Sequence, residues 1–558
     1  MNPTTTPRED DELIASILTA AEKAAHSVQG RSLEETLSTP ETRETLRHYA
    51  TEVGDSALQV SEMMRNWASH IPWESLIALR EGTQPPGDDT AVRALWRFFS
   101  EQFPPVRKAL QEMWQPAHLR RTVDPVEEYA LDKNTYDFFR PAGRDLLKRT
   151  EEYYGWVEAR RQTETWPYSR TLEVTPGSSA RVTNEVGRRM QGINFASQDY
   201  LSLNAHPTVR EAASRALHDF GPHSAGSPMA VGNTRISEDL ERALGELVQM
   251  EHITLFPTGW AAGFGAVAGL VRPEDHVVID RLAHACLQQG ARAATKNVVR
   301  YEHLNVEAVR QSLKDIRGRD PRNGILVVTD GLFSVDADWP DVTTLQAVCR
   351  EYDATLLVDV AHDLGAMGPG GTGVLGMQNL LGKVDLVMGA FSKSFASNGG
   401  FLASHSPAVK QYVKMFGGSH MFSNALSPVQ SAVVLKATEL IRSAEGDRLR
   451  ARLFEAVNAL RDELTRRELT CMGSPSPIVP LLIGNEKLAR TVYRLFFDRG
   501  VLAAMVEFPV APIGAARFRL QVQASHEPEE AREAARVIAK CIADARAHLT
   551  SAFGSELV

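Results

Sequence analysis

The spacing of apolar positions changes character near residue 165. Upstream, in residues 11–27, 42–53 and 141–162, apolar side chains return at intervals of three and four, which puts them on one face of a helix. Glu and Arg recur at helical spacing beside them, and the stretch 81–89, EGTQPPGDD, interrupts the pattern as a linker. This predicts a helical extension over residues 1–165, to which the pattern attaches no role. Downstream of about residue 190, short β-rich runs alternate with amphipathic helical stretches. The runs cover 253–256, 276–280, 324–329, 355–360, 384–391 and 401–404. Such alternation predicts an α/β domain with a mostly parallel sheet, assigned to 166–430. A long helical pattern at 431–467, strand candidates at 478–483 and 517–522 and a last helix at 528–549 predict a small α+β domain over 431–558.

Composition narrows the classes of function. The 558 residues are 43% hydrophobic, enough for a sizeable core and more than one domain. A net charge of −9, with no long Lys/Arg block, gives no electrostatic footprint for nucleic acid. Cys286, Cys349, Cys471 and Cys541 are far apart and form no CxxC pair, so neither a metal site nor a disulfide framework is expected. They read as reduced thiols of a cytoplasmic protein. The start, MNPTTTPREDDELIAS, lacks the basic-then-apolar order of a secretory signal, and no uncharged apolar run of about 18 residues predicts a membrane span.

Ligands of open parallel sheets bind beyond the carboxyl ends of the strands, and four predicted strand ends carry reactive groups. The run 384–391 leads into Ser392-Lys393-Ser394 and then Gly399-Gly400. A lysine there is either an ordinary turn residue or a Schiff-base nucleophile activated by desolvation. The run 355–360 carries Asp359, with His362 three residues on. Such an Asp is either a helix cap or the carboxylate that keeps a pyridine nitrogen protonated, with His362 donating to the ring's phenolic oxygen. After 276–280 comes His284, either a helix-start histidine or an imidazole stacked on a cofactor ring. After 253–256, Thr258-Gly259-Trp260 opens a helix whose first N–H groups suit a phosphate. Each group alone has an ordinary structural explanation; in this order they fit pyridoxal 5'-phosphate (PLP).

The chain resembles the α-oxoamine synthases, fold-type I PLP enzymes that include serine palmitoyltransferase and 8-amino-7-oxononanoate synthase. The resemblance covers about residues 165–545. Stretches in the family's order include FASQDYLSLNAHP at 195–207, GNTRISEDLE at 232–241, DGLFSVDAD at 330–338, VDVAHDLGAMG at 358–368, GAFSKSFASNGGF at 389–401, FSNALSP at 422–428 and RFRLQVQASH at 517–526. The lysine stretch looks most like serine palmitoyltransferases.

The resemblance implies a fold-type I transferase with a large PLP domain, a small carboxy-terminal domain and a helical extension in front. It also implies a homodimer with shared active sites. Lys393 is then the PLP lysine and the base for the Cα proton. Asp359 pairs with the pyridine nitrogen, His284 stacks on the ring, and His362 and Ser334 reach the phenolic-oxygen side. Thr258, Gly259, Trp260 and Ser392 lie near the phosphate, joined by Ser423 and Asn424 of the partner subunit. Arg519 binds the amino-acid carboxylate, with Gln198 on the substrate side. The implied reaction condenses serine, alanine or glycine with an acyl thioester, on CoA or a carrier protein, with decarboxylation to an α-amino ketone. Three positions depart from the family: Ala390 replaces a usual phosphate-binding Thr, Gln198 a frequent Asn, and Pro228 a common Arg. An aminotransferase on the same fold and a non-catalytic subunit of a heterodimeric synthase are the alternatives; such subunits lose the lysine that Lys393 supplies here. Gly54-Asp55-Ser56-Ala57-Leu58 also resembles a phosphopantetheine attachment signature with an inserted alanine.

Overall fold

The computed structural model describes residues 7–60, 65, 71–80, 89–113 and 125–553. The linker expected at 81–89 lies, apart from Asp89, outside them. The chain forms two compact units. The described residues of Met1–Lys133, Arg140–Glu164 and Leu549–Leu557 make one, and those of Asn134–Phe139 and Thr165–His548 the other.

The first unit is helical. Its helices include Pro7–Val28, Pro40–Gln59, Asp89–Arg97, Phe103–Met113 and Glu151–Gln162. Ile17, Ala21, Leu46, Val53 and Leu76 are fully buried in its core, as the three-and-four spacing requires. Two expectations need correction. The helix read over 141–162 begins only at Glu151, after a 3-10 turn at Lys148–Thr150; Pro141 and Gly143, the latter at φ +145°, hold the preceding chain out of helical geometry. The resemblance around Ser56 to a carrier-protein attachment site also fails. Ser56 is inside the helix Pro40–Gln59, is 7% exposed, and donates from Oγ to Ser16 Oγ at 3.2 Å.

The strands of the second unit, in chain order, are β1 (Thr171–Leu172), β2 (Ser179–Thr183), β3 (Arg189–Phe195), β4 (His252–Phe256), β5 (His276–Asp280), β6 (Val298–Tyr301), β7 (Ile325–Asp330), β8 (Thr355–Asp359), β9 (Leu386–Ala390), β10 (Gly400–Ser404), β11 (Ile478–Gly484), β12 (Val501–Val506) and β13 (Ala516–Gln521). Seven of them form one sheet in the order β4-β10-β9-β8-β7-β5-β6. β10 runs antiparallel to the other six. Helices between the strands cover the sheet, so β7 and β9 are buried along their whole length and read as continuous apolar runs. The carboxyl ends of β4, β5, β7, β8 and β9 therefore emerge on one edge, where Gly400 starts β10.

The second sheet has the order β1-β2-β3-β12-β13-β11. A parallel pairing of β3 with β12 joins residues 171–195 to the carboxy-terminal strands, whereas the sequence pattern had grouped them with the large domain. The helix read over 431–467 is two helices, Pro428–Ile441 and Ala444–Arg466. The break falls at Ser443, whose Oγ accepts from the N–H groups of Glu445 and Gly446 and so caps a new helix. Among the described residues no helix is long and apolar enough to cross a membrane.

One charged cluster ties the loops of this sheet edge together. His303, after β6, has Nδ1 3.0 Å from Asp280 Oδ1 at the end of β5, and Nε2 3.2 Å from Asp338 Oδ1 in the loop after β7. Burial pulls its pKa down, but the two carboxylates prevail and raise it to about 9. A raised histidine pKa adds stability that is complete below the unfolded value near 6.5 and is lost as pH rises through about 9. The melting temperature is expected to fall by on the order of 3 °C across that window. In a His303→Gln variant, scanning calorimetry against pH should show this step missing.

Candidate active site

Eight of the predicted site residues line one cavity of about 230 Å³ at the carboxyl edge of the seven-stranded sheet, Thr258, Gly259, Trp260, His284, Asp359, His362, Ser392 and Lys393, and Ala390 and Gly399 line it too. They arrive from four strand ends, those of β4, β5, β8 and β9. Asp359 closes β8 and is 6% exposed; its Oδ1 accepts from the Ala361 N–H at 2.9 Å. Burial raises its pKa, while the neighbouring His284 and Lys393 pull it back. Burial lowers the Lys393 ammonium, and the Asp359 carboxylate opposes that shift. A buried acid and a buried amine thus face one cavity, each held there by the other's charge.

Thr258 caps the helix Gly259–Leu270, its Oγ1 accepting from the Ala261 N–H at 3.0 Å. The first N–H groups of that helix have no carbonyl partner inside it, which leaves them for an anion. Gly259 is required by packing: a Cβ there would run into the Cβ of Ala390 at the end of β9. The departure at Ala390 thus sits against a glycine, two small residues bringing the helix start close to the lysine loop. That loop turns back through Gly399, at φ +109°, where a side chain would strike Phe391 and Leu426.

His362, 7% exposed, has Nδ1 2.9 Å from the Tyr200 hydroxyl. Burial keeps its pKa well below the ordinary value, so the ring is neutral. His284 is half-buried and caps the helix Ala285–Ala294. Burial lowers its pKa too, against the field of Asp359. Its backbone N–H donates to Asp330 Oδ1 at 3.3 Å. Asp330 ends β7 directly beside Asp359. Burial, and then the Asp359 charge, push its carboxyl well above the usual range.

The remaining predicted residues stand outside the cavity lining. Arg519, on β13, donates from Nη1 to the Ser334 carbonyl at 3.3 Å, and its buried Nε has no partner among the described residues. Gln198 accepts at its carbonyl from the Tyr200 N–H at 3.0 Å. Ser423 and Asn424 lie in the turn after the helix Gly418–Met421, beside Phe422, which is 87% exposed. Asn424 Nδ2 is 3.4 Å from His223 Nε2. Pro228, the third departure, accepts at its carbonyl from Asn233 Nδ2 at 3.1 Å.

Sequence reasoning passed over Cys286, Asn398 and Met388, which also line the cavity, and Tyr200 and Asp330 behind it. Tyr200 lies in the quoted stretch 195–207 and Asp330 opens DGLFSVDAD, so a motif was available for both. Cys286, two residues past His284, gave no signal.

The residues suit PLP: an amine that can bond its aldehyde, an acid on a strand end for its ring nitrogen, and a helix start for its phosphate. The unpaired Nε of Arg519 is a buried donor without an acceptor, as expected where a carboxylate is to be bound.

The comparisons with known proteins agree. Residues 190–538 match the family model for aminotransferase class I and II. A serine palmitoyltransferase of Sphingobacterium spiritivorum is 31% identical over 70% of this chain and 94% of its own length. An 8-amino-7-oxononanoate synthase of Citrifermentans bemidjiense is 31% identical over 66% of this chain and 93% of its own. A serine palmitoyltransferase structure with its PLP internal aldimine is 26% identical with a TM-score of 0.67, and that of Sphingomonas wittichii is 25% identical with the same score; both cover 72% of this chain and 99% of their own. With amine, acid, imidazole and helix start gathered on this sheet edge, the chain belongs to the aminotransferase class I and II family and, within it, to the PLP-dependent α-oxoamine synthases of fold type I.

Proposed function

We propose that this enzyme condenses a small amino acid (serine, alanine or glycine) with an acyl thioester, carried by CoA or a carrier protein, and releases carbon dioxide to leave an α-amino ketone. The single observation that carries this reading is the meeting of Lys393, Asp359 and His284 on one cavity. The buried, unpaired Nε of Arg519 supports an amino-acid carboxylate as one ligand.

PLP supplies an electrophilic carbon for amines and a ring that accepts electrons from the adjacent carbon. Lys393 Nζ anchors it between turnovers. Lys393 Nζ would also take the proton from the substrate Cα; burial lowers its basicity from the ordinary lysine range, which suits a base working near neutral pH. Asp359 holds the proton on the ring nitrogen. His362, steadied by Tyr200, and Ser334 serve the phenolic-oxygen side. Thr258, Gly259, Trp260 and Ser392 serve the phosphate. His284 covers the ring face and offers a donor to the carboxylate or to the oxyanion formed as the thioester is attacked. Gln198 stands on the substrate side.

Arg519 orients the substrate through a charge-assisted fork to its carboxylate. Arg519→Gln is expected to raise the amino-acid KM about 10- to 100-fold, with little change in the thioester KM. Initial-rate kinetics with each substrate varied in turn check this.

We infer a homodimer in the cytoplasm. Phe422 and Val231, 87% and 85% exposed, support a covered apolar face beside Ser423 and Asn424, which on this reading reach the phosphate of a second copy of this chain. The four free cysteines fit a reducing compartment.

The test is a panel of glycine, alanine and serine against acyl-CoA and acyl-carrier donors of several chain lengths. Thiol release dependent on the amino acid, with an α-amino ketone identified by mass spectrometry, is the expected result. Transfer of the amino group to a keto acid without thiol release would replace this reading by an aminotransferase.

A further inference from the structure

His284 has two ring nitrogens, and its role depends on which one carries the proton. The structure decides this through the helix that His284 begins. As N-cap of Ala285–Ala294, its Nδ1 accepts from the Cys286 N–H at 3.3 Å. A protonated Nδ1 would point N–H at N–H, and a doubly protonated ring would also set a positive charge at a helix N-terminus, where the dipole opposes it. A second group faces the same atom: Cys286 Sγ is 3.0 Å from Nδ1.

The thiol has little freedom to do otherwise. Cys286 is 1% exposed. The helix Gly259–Leu270 presses on it at Gly263, where a Cβ would collide with Sγ. Burial and the charges of Asp359 and Asp330 keep it in the protonated S–H form. Nε2 has no protein partner among the described residues, and His284 lines the cavity.

We propose that Cys286 is a positioning residue: its thiol and its backbone N–H together hold His284 as the neutral Nε2–H tautomer, so that the one ring proton is offered to the substrate. This rests on the proposed function only for its consequence, since the tautomer is a property of the protein alone. It converts the stacking imidazole from a flat apolar cover into a directed donor for the carboxylate or the thioester oxygen. The charged and polar groups acting on this ring are Asp359 and Lys393 across the cavity, Arg519 outside its lining, Asp330 behind its backbone and Cys286 on its own helix.

The experiment is nuclear magnetic resonance of protein labelled with 15N-histidine, with PLP bound and with PLP removed, His284→Gln identifying the resonance. Wild type is expected to show Nδ1 unprotonated and Nε2 protonated. Cys286→Ser, which keeps a donor, should preserve that pattern. In Cys286→Val the donor is gone, and neutral imidazole loses a stabilising bond. The ring then takes its second proton at higher pH, and the acidic limb of kcat/KM moves the same way. The expected fall in kcat is on the order of five- to ten-fold, the worth of one such hydrogen bond, with the amino-acid KM unchanged. Cys286→Ala serves if the valine crowds Gly263, and the PLP absorbance band together with the melting temperature identifies folded variants.

A wild-type proton on Nδ1 would overturn the proposal. So would a folded valine or alanine variant with wild-type tautomer, titration and kcat. The resonance readout needs no turnover: if wild type releases no thiol from any acyl donor, the proposed reaction falls while the tautomer assignment is judged separately.

Discussion

Lys393→Ala is expected to reduce turnover by about 10⁴-fold and to abolish covalent attachment of PLP, because one side chain serves as both anchor and base. Two measurements separate these roles. Borohydride reduction followed by intact-mass analysis should add the cofactor to wild type and leave the variant unchanged. Added methylamine should restore part of the proton-transfer rate in the variant but not the covalent link to the protein. The fold should persist, since Lys393 lies in a loop at the sheet edge and contributes no core packing. A variant that retained both the covalent cofactor and turnover would remove Lys393 from the mechanism and the proposed function with it.

Asp359→Asn is expected to lower kcat by on the order of 10²–10³-fold while the covalent link to Lys393 remains. An amide at the end of β8 keeps the shape and can still accept from the Ala361 N–H, but it has no negative charge with which to hold a proton on the ring nitrogen. The same substitution should stabilise the cofactor-free protein. Burial raises the carboxyl's pKa in the folded state, so keeping it ionised at neutral pH costs stability; that cost grows as pH rises above the unfolded value. Cofactor-free Asp359→Asn should therefore melt above cofactor-free wild type at pH 7.5, and the order should narrow or reverse when PLP is added. Equal melting temperatures without cofactor would mean that the Lys393 ammonium already offsets the charge of Asp359.

The failures of sequence reading share a cause. Strands β1, β2 and β3 lie at the exposed side of the second sheet, and their burial alternates or lapses, so no apolar run announces them. β12 is VLAAMV, whose alanines carry no strand preference; its pairing with β3 and β13 makes it a strand. β6 is a four-residue edge. The break at Ser443 was invisible because IRSAEGD keeps helical spacing across it, and only the serine's cap shows that a new helix begins. The Ser56 resemblance failed for the converse reason: a short polar string has no structural meaning until its burial is known.

What the amino-acid order decided alone is the set of reactive groups and their strand ends. Strands buried on both faces must be apolar throughout, so Asp359 after LLV, and Lys393 beyond VMGAFS, stand out against their own runs. What it could not decide is which groups from distant segments meet on one atom. Asp330 beside Asp359, the Tyr200 hydroxyl on His362 and Ala390 against Gly259 are products of strand order and helix packing. Proton positions and charge states depend on distances of a few ångströms and on the exclusion of water, and both exist only once the chain has closed around the site.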